Sequence, residues 1–210
     1  MKIGIIGSGK IGSTTARLFL AAGHEVTVAN SRGPETLTNL VGELGAGALA
    51  GTVEAAARSS EVVLVAIPYK AFTDLPADAF AGKTVIDATN YYPQRDGEIS
   101  ELERGEAASS ELLARHLAGA DVVKAFNTMN FVPLGSEGRP ETPRQERLAL
   151  FLAGDDEEAK AVVAGLIEEI GFAPVDTGTL HESTRQEPGA PVYNNPMTAA
   201  EAEAAVTSRG

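Results

Sequence analysis

The chain has 210 residues, enough to bury one self-supporting core and a small appendage. It contains no cysteine, which excludes disulfides, thiolate metal sites and cysteine nucleophiles. A formal charge of −12 disfavours nucleic acid and anionic lipid as partners, and makes any cation near a ligand site informative.

Taken in chain order, Lys2 to Ile6 reads as a strand. Lys10 to Ala22 reads as a helix, with Ile11, Thr15, Leu18, Phe19 and Ala22 on one face and Gly23 at its stop. Glu25 to Ala29 is the next strand. Pro34 opens a second helix with Leu37, Leu40, Val41 and Leu44 on one face, before Gly45. Thr52 to Arg58 reads as a short helix. Glu61 to Ile67 is a continuous apolar strand stopped by Pro68, the kind that parallel sheets bury on both faces. Thr84 to Ala88 is a strand, Ser110 to Leu117 a helix, and Asp121 to Phe126 a strand. In the tail, Arg147 to Ala153 and Phe172 to Val175 read as strands around a helix over Asp156 to Ile170. Thr198 with Glu201 is a capping box opening a terminal helix.

Strand and helix alternate, so the expected fold class is α/β, a Rossmann-type doubly wound parallel sheet over residues 1–130. Residues 131–210 form a small C-terminal α/β extension, expected to be part of the same compact unit. Tyr91 to Ala108, Pro133 to Gln145 and Glu187 to Met197 read as loops. The first two follow strand ends, where open α/β sheets bind ligands, or they are plain surface connections. Apolar runs such as Val62 to Ile67 are too short to span a bilayer. Met1-Lys2-Ile3-Gly4 leads into a glycine pattern and not a signal peptide, so the expectation is a soluble, cytoplasmic protein without nucleic-acid or membrane partners.

Gly7-Ser8-Gly9-Lys10-Ile11-Gly12 matches G-x-G-x-x-G between a strand and a helix, with a second strand completing the βαβ unit. Gly7 permits a tight turn, Gly9 lets backbone approach a pyrophosphate, and Gly12 lets the helix pack on the strand. The helix N-terminus offers free N–H groups to phosphate. A site for NAD usually has Asp or Glu at the end of the second strand. Here that place reads Asn30-Ser31-Arg32. A carboxylate would repel a 2′-phosphate, whereas a serine hydroxyl and a guanidinium can hold one, so the cofactor expected is NADP. The bland alternatives are a solvated Arg32 and a Ser31 that only serves the turn before Gly33-Pro34.

Ile67-Pro68-Tyr69 either runs alongside the ribose nearest the nicotinamide or merely ends a strand. Thr89, Asn90 and Asn127 also end strands, facing the nicotinamide or tying loops together. Asp87 reads as a general base or a structural hydrogen-bond acceptor. His24, His116 and His181 form no zinc spacing, and no nucleophile elbow is present. No acid, base, nucleophile or metal ligand is therefore assigned. Hydride exchange between two redox cofactors needs none, because the cofactors carry the chemistry and the protein supplies orientation.

Ile5 to Gly12, Asn30-Ser31-Arg32-Gly33-Pro34, Ile67-Pro68, Asp87-Ala88-Thr89-Asn90 and Val123 to Thr128 together resemble the F420:NADP oxidoreductases, NADPH-dependent reductases of the deazaflavin coenzyme F420. The same domain occurs in membrane metalloreductases. The tail is similar to short bacterial members at Gly154-Asp155-Asp156 and Gln186-Glu187-Pro188-Gly189. The resemblance implies that Ser31 and Arg32 contact the 2′-phosphate. It also implies a homodimer, with C-terminal segments closing the acceptor pocket. Three activities stand open: hydride transfer between NADP(H) and a deazaflavin (coenzyme F420) or flavin-type acceptor; NADPH-dependent reduction of a small carbonyl or imine, with Tyr69, Tyr91, His181 or Asp87 as proton donor; and a non-catalytic NADPH sensor.

Overall fold

The computed structural model describes residues 1–207. Its centre is a strand buried on both faces. In β4 (Val62–Val65), Val62 and Leu64 join the core on one side of the sheet, and Val63 and Val65 join the core on the other. Around it the strands β1 (Lys2–Ile6), β2 (Glu25–Ala29), β3 (Ala48–Gly51), β5 (Thr84–Asp87), β6 (Asp121–Ala125), β7 (Ala149–Gly154) and β8 (Ala173–Asp176) complete one eight-stranded sheet in the order β3-β2-β1-β4-β5-β6-β7-β8.

Helices α1 (Lys10–Ala21), α2 (Thr38–Leu44), α7 (Phe131–Ser136) and α8 (Glu157–Glu169) cover one face through Phe19, Leu40, Leu134 and Val163. Helices α3 (Val53–Ser59) and α6 (Ser109–His116) cover the other through Ala56, Ala57 and Leu113. Between them in the chain lie two single-turn helices, α4 (Pro93–Asp96) and α5 (Ser100–Glu103). The last helix, α9 (Ala199–Thr207), seats Ala202 against Phe151 and Val175 of β7 and β8. Its capping box forms as the sequence predicts, with Glu201 accepting from Thr198 N at 2.8 Å. No helix of the described residues is long and apolar enough to cross a membrane.

Strands β1 to β6 are parallel, as expected for residues 1–130, and β7, in the C-terminal extension, runs antiparallel to β6. The connection explains it. A parallel successor must start at the opposite edge of the sheet, so the chain must travel back along the full strand. Between β6 and β7 the only α-helix among the described residues is the six-residue α7, which rises about 9 Å, followed by a 3-10 turn over Arg144–Glu146. The five residues of β6 span roughly 16 Å. With no helix long enough to recross the sheet, the connection stays at the carboxyl edge and β7 turns straight back. α8 then provides a full crossover, and β8 is parallel to β7.

Three departures have local causes. β3, Ala-Leu-Ala-Gly, has no β-branched residue and exposes Leu49; it exists because the edge of β2 offers pairing. α7 overlaps the predicted loop at Pro133. Asn130 caps it by accepting from Val132 N at 3.0 Å, and a proline in a first turn removes no hydrogen bond that the helix would make. The predicted loop over Tyr91 to Ala108 contains α4 and α5.

Candidate active site

The carboxyl ends of β1, β2 and β4 converge on a cavity of about 500 Å³. Its floor is the glycine loop. Gly7 has φ +120°, and a Cβ there would stand 2.2 Å from the Ala66 carbonyl oxygen. A Cβ on Gly12 would stand 1.9 Å from the Gly7 oxygen, so only glycine lets α1 sit this close to the turn. Gly9 begins α1 with no side-chain cap and no acidic residue in the first turn. Nothing lies within 4 Å of the position a Cβ would take on Gly9. Orphan amides at an uncapped, uncrowded helix start fit a pyrophosphate.

The turn after β2 is built by Asn30. Its Nδ2 donates to Ser8 Oγ at 3.2 Å and to Thr36 Oγ1 at 3.0 Å, while Oδ1 accepts the Arg32 N–H at 2.8 Å. Asn30 thus spends its amide on the protein and fixes the shape of the turn. Ser31 and Arg32 project into solvent on the cavity rim, and the Arg32 guanidinium is unpaired among the described residues. Ile67 and Pro68 line the same cavity, as does Asp74.

A second cavity, of about 380 Å³, follows the ends of β5 and β6. Ile11, Asn90 and Asn127 line it with Tyr92, Phe131 and Tyr193. Phe126 follows β6 at φ +65°, a left-handed conformation that a fully buried ring packed 6.0 Å from Phe19 holds in place. The reversal brings Asn127 face to face with Asn90. Asn90 Nδ2 donates to the Asn127 carbonyl at 3.0 Å, and Asn127 Nδ2 donates to Asn90 Oδ1 at 3.1 Å and to the Gln186 carbonyl at 2.7 Å. The tail is thereby tied to the cavity.

Four residues assigned from the sequence line neither cavity: Lys10, Gly12, Tyr69 and Thr89. Lys10 lies over the Phe131 ring at 4.5 Å. Gly12 sits under the helix. Tyr69 is wholly buried behind the cavity wall, its hydroxyl donating to the Ser109 carbonyl at 2.8 Å, and burial pushes its phenol well above the usual range. Thr89 is buried and donates to Asp87 Oδ1 at 2.6 Å.

Asp87 is a structural acceptor. It pairs in register with Lys124 of β6, Nζ to Oδ2 at 3.1 Å, and neither side chain has any exposure. Ser110 Oγ completes its shell at 2.6 Å, and Lys124 Nζ also donates to the Thr89 carbonyl at 2.7 Å. The other proton donors considered from sequence are equally committed. Tyr91 donates towards Gly97 and Glu103, and His181 pairs with Glu111 at 2.8 Å, lining neither cavity. Sequence reasoning passed over Tyr92 and Tyr193, whose hydroxyls bond each other at the second cavity. Only their residue type in two loops flagged them. Among the described residues no cluster of metal-ligating side chains occurs.

The chain is similar to rat metalloreductase STEAP3, 31% identical over 188 residues, which are 89% of this chain and 36% of that protein. It spans about two fifths or less of the curated relatives it matches. Among solved structures, a hypothetical protein from Sinorhizobium meliloti superposes with TM-score 0.81 at 34% identity, covering 94% of this chain and 95% of that one. A candidate F420-dependent NADP-reductase from Arthrobacter superposes with TM-score 0.72 at 26% identity, covering 88% and 87%. Residues 2–91 match the family described as NADP oxidoreductase, coenzyme F420-dependent. That segment holds the whole first cavity, from the glycine loop to Leu75, so the family match and the first cavity coincide.

Proposed function

We propose that the protein transfers hydride between NADP(H) and a deazaflavin (coenzyme F420) or flavin-type acceptor. The observation that carries this reading is the unpaired Arg32 on the rim of the first cavity, with the second cavity following along the same sheet edge. In this assignment the amides at the start of α1 hold the pyrophosphate, and Ser31 and Arg32 hold the 2′-phosphate. Ile67 and Pro68 flank the inner ribose. The Asn90–Asn127 pair holds the nicotinamide edge at the mouth of the second cavity, which takes the acceptor. The bound nicotinamide supplies or receives the hydride. The chain's share is orientation and exclusion of water. The tail from Gln186 to Asn194 closes the acceptor side, and the working unit is a cytoplasmic homodimer, which sedimentation equilibrium checks by reporting one copy or two.

The test is a spectrophotometric assay with NADPH, offering coenzyme F420, FMN and FAD, with NADH as control. NADPH-specific turnover of one of the three supports the reading, and turnover of none removes it. A second reading, NADPH-dependent reduction of a small carbonyl or imine, is favoured by the paired phenols of Tyr92 and Tyr193. It is distinguished by turnover with a carbonyl or imine panel and none with the three cofactors.

A further inference from the structure

We propose that Tyr92 is the proton donor of the second cavity, backed by Tyr193, and that the cavity takes an acceptor whose carbonyl group is conjugated to the carbon receiving hydride. The inference rests on the acceptor assignment above. Two chain segments deliver the two hydroxyls. Tyr92 precedes α4, its N–H donating to Asp96 Oδ2 at 3.0 Å. Tyr193 arrives with the tail, where Asn194 N donates to the Thr128 carbonyl at 2.7 Å. Two phenols own two O–H hydrogens, and their mutual bond uses one. The second has no partner among the described residues, and both side chains are half-buried on the cavity wall.

Either hydroxyl can donate in their mutual bond. In the arrangement proposed, Tyr193 donates to Tyr92, and Tyr92's own O–H faces the cavity. The Arg95 guanidinium lies 4.9 Å from the Tyr92 ring centre, anchored by Asp96 at 2.7 Å and the Asn90 carbonyl at 2.6 Å. A cation on the ring and a donor on the oxygen both stabilise negative charge on Tyr92 as it releases a proton. Tyr69 and Tyr91 lack this arrangement.

The step balances as follows. A C–H bond of the reduced nicotinamide breaks and a C–H bond forms at the acceptor carbon. The acceptor's conjugated electron pair moves onto its carbonyl oxygen, and that oxygen takes the proton from Tyr92 Oη. Tyr92 recovers a proton from solvent through the Tyr193 hydroxyl. The nicotinamide is oxidised by two electrons, and the acceptor gains one hydride and one proton. A pyrimidinedione ring of a deazaflavin and a small enone share this chemistry.

Wild type, Tyr92→Phe and Tyr193→Phe are compared for NADPH binding, for turnover of coenzyme F420 and of 2-cyclohexenone, and for F420 binding to the cofactor-free protein by fluorescence quenching. NADPH binding stays at the wild-type level in both variants. Tyr92→Phe lowers kcat by ~100-fold or more with the acceptor that is used and abolishes its solvent deuterium isotope effect. Tyr193→Phe loses about tenfold and keeps the isotope effect. If F420 is the acceptor, its binding also weakens in Tyr92→Phe. F420 turnover alone identifies a deazaflavin, and cyclohexenone turnover alone a small carbonyl. A Tyr92→Phe variant with wild-type kcat overturns the inference and leaves the acceptor assignment intact. Should Tyr92→Phe fail to fold, a Tyr193→Phe variant at the wild-type rate overturns it in the same way. A wild type that neither binds F420 nor reduces F420, FMN, FAD or cyclohexenone removes the assignment and this inference with it.

Discussion

Arg32 and Lys124 are cations in opposite environments, and each asks for a different kind of experiment. Arg32 is exposed and unpaired, so its removal should cost the free protein little. We expect Arg32→Ala to weaken NADPH binding by roughly tenfold or more, the worth of a hydrogen bond to a charged group at about 1.5–3 kcal/mol. NADH, which lacks the 2′-phosphate, should bind as before; equal losses for the two, measured by fluorescence titration, would show Arg32 to be structural. Lys124 is fully buried against Asp87. Lys124→Met strands a buried carboxylate, and urea denaturation should report a loss of about 3–5 kcal/mol. Adding Asp87→Leu should restore part of it; a single variant as stable as wild type would show that the buried pair does not stabilise the fold. Arg32 was legible in the sequence because its role depends on residue type at a fixed distance from the glycine loop. Lys124 left a signal that went unread, a lone lysine in an apolar strand, because its partner is set by the register between β5 and β6. Tyr92 and Tyr193 could not be paired at all, since nothing local relates residues so far apart in the chain.

At the scale of elements, legibility follows the same division. β1, α1 and β2 could be read closely because periodicity, glycine punctuation and a two-sided apolar strand are local properties. β3 and the direction of β7 are products of pairing and connection, which periodicity does not encode. The helix α1 offers the sharpest test of element packing. Gly12 lies where a Cβ would overlap a backbone oxygen, and no rotamer change can relieve it. Gly12→Ala must therefore lift α1 from the turn. We expect a loss of about 1–3 kcal/mol in thermal or urea unfolding. NADPH and NADH affinities should fall together, because the pyrophosphate amides are common to both. A variant that discriminates between the two cofactors would contradict this account of the loop.

Across the whole molecule, the loop bearing Tyr92 and the second half of the chain are pinned by carboxylates that the fold holds ionised. Asp96 loses water by burial, yet Arg95 and the N–H groups of Tyr92 and Lys70 outweigh that and lower its pKa. Glu111 is likewise raised by burial and lowered further by the Ala108 N–H and His181. Glu201 is lowered by Thr198, and Glu182 by Thr179. These groups fix the loop bearing Tyr92, the start of α6, the start of α9 and the turn before Gln186. A carboxylate whose folded pKa is depressed stabilises the fold fully above its unfolded value, and the stabilisation is lost as pH falls through the folded value. For the glutamates the unfolded reference is 4.5. The melting temperature should therefore hold steady from neutrality down to this range and decline below it. The elements that close the second cavity should loosen first. Proteolysis near the tail should then precede loss of NADP⁺ binding, whose cradle lies in the first half of the chain. Melting by circular dichroism across this range, paired with limited acid proteolysis, reads both effects. A melting temperature unchanged well below pH 4.5 would show that these carboxylates do not hold the tail. Loss of NADP⁺ binding before any cleavage of the tail would show that the two halves of the sheet unfold as one unit.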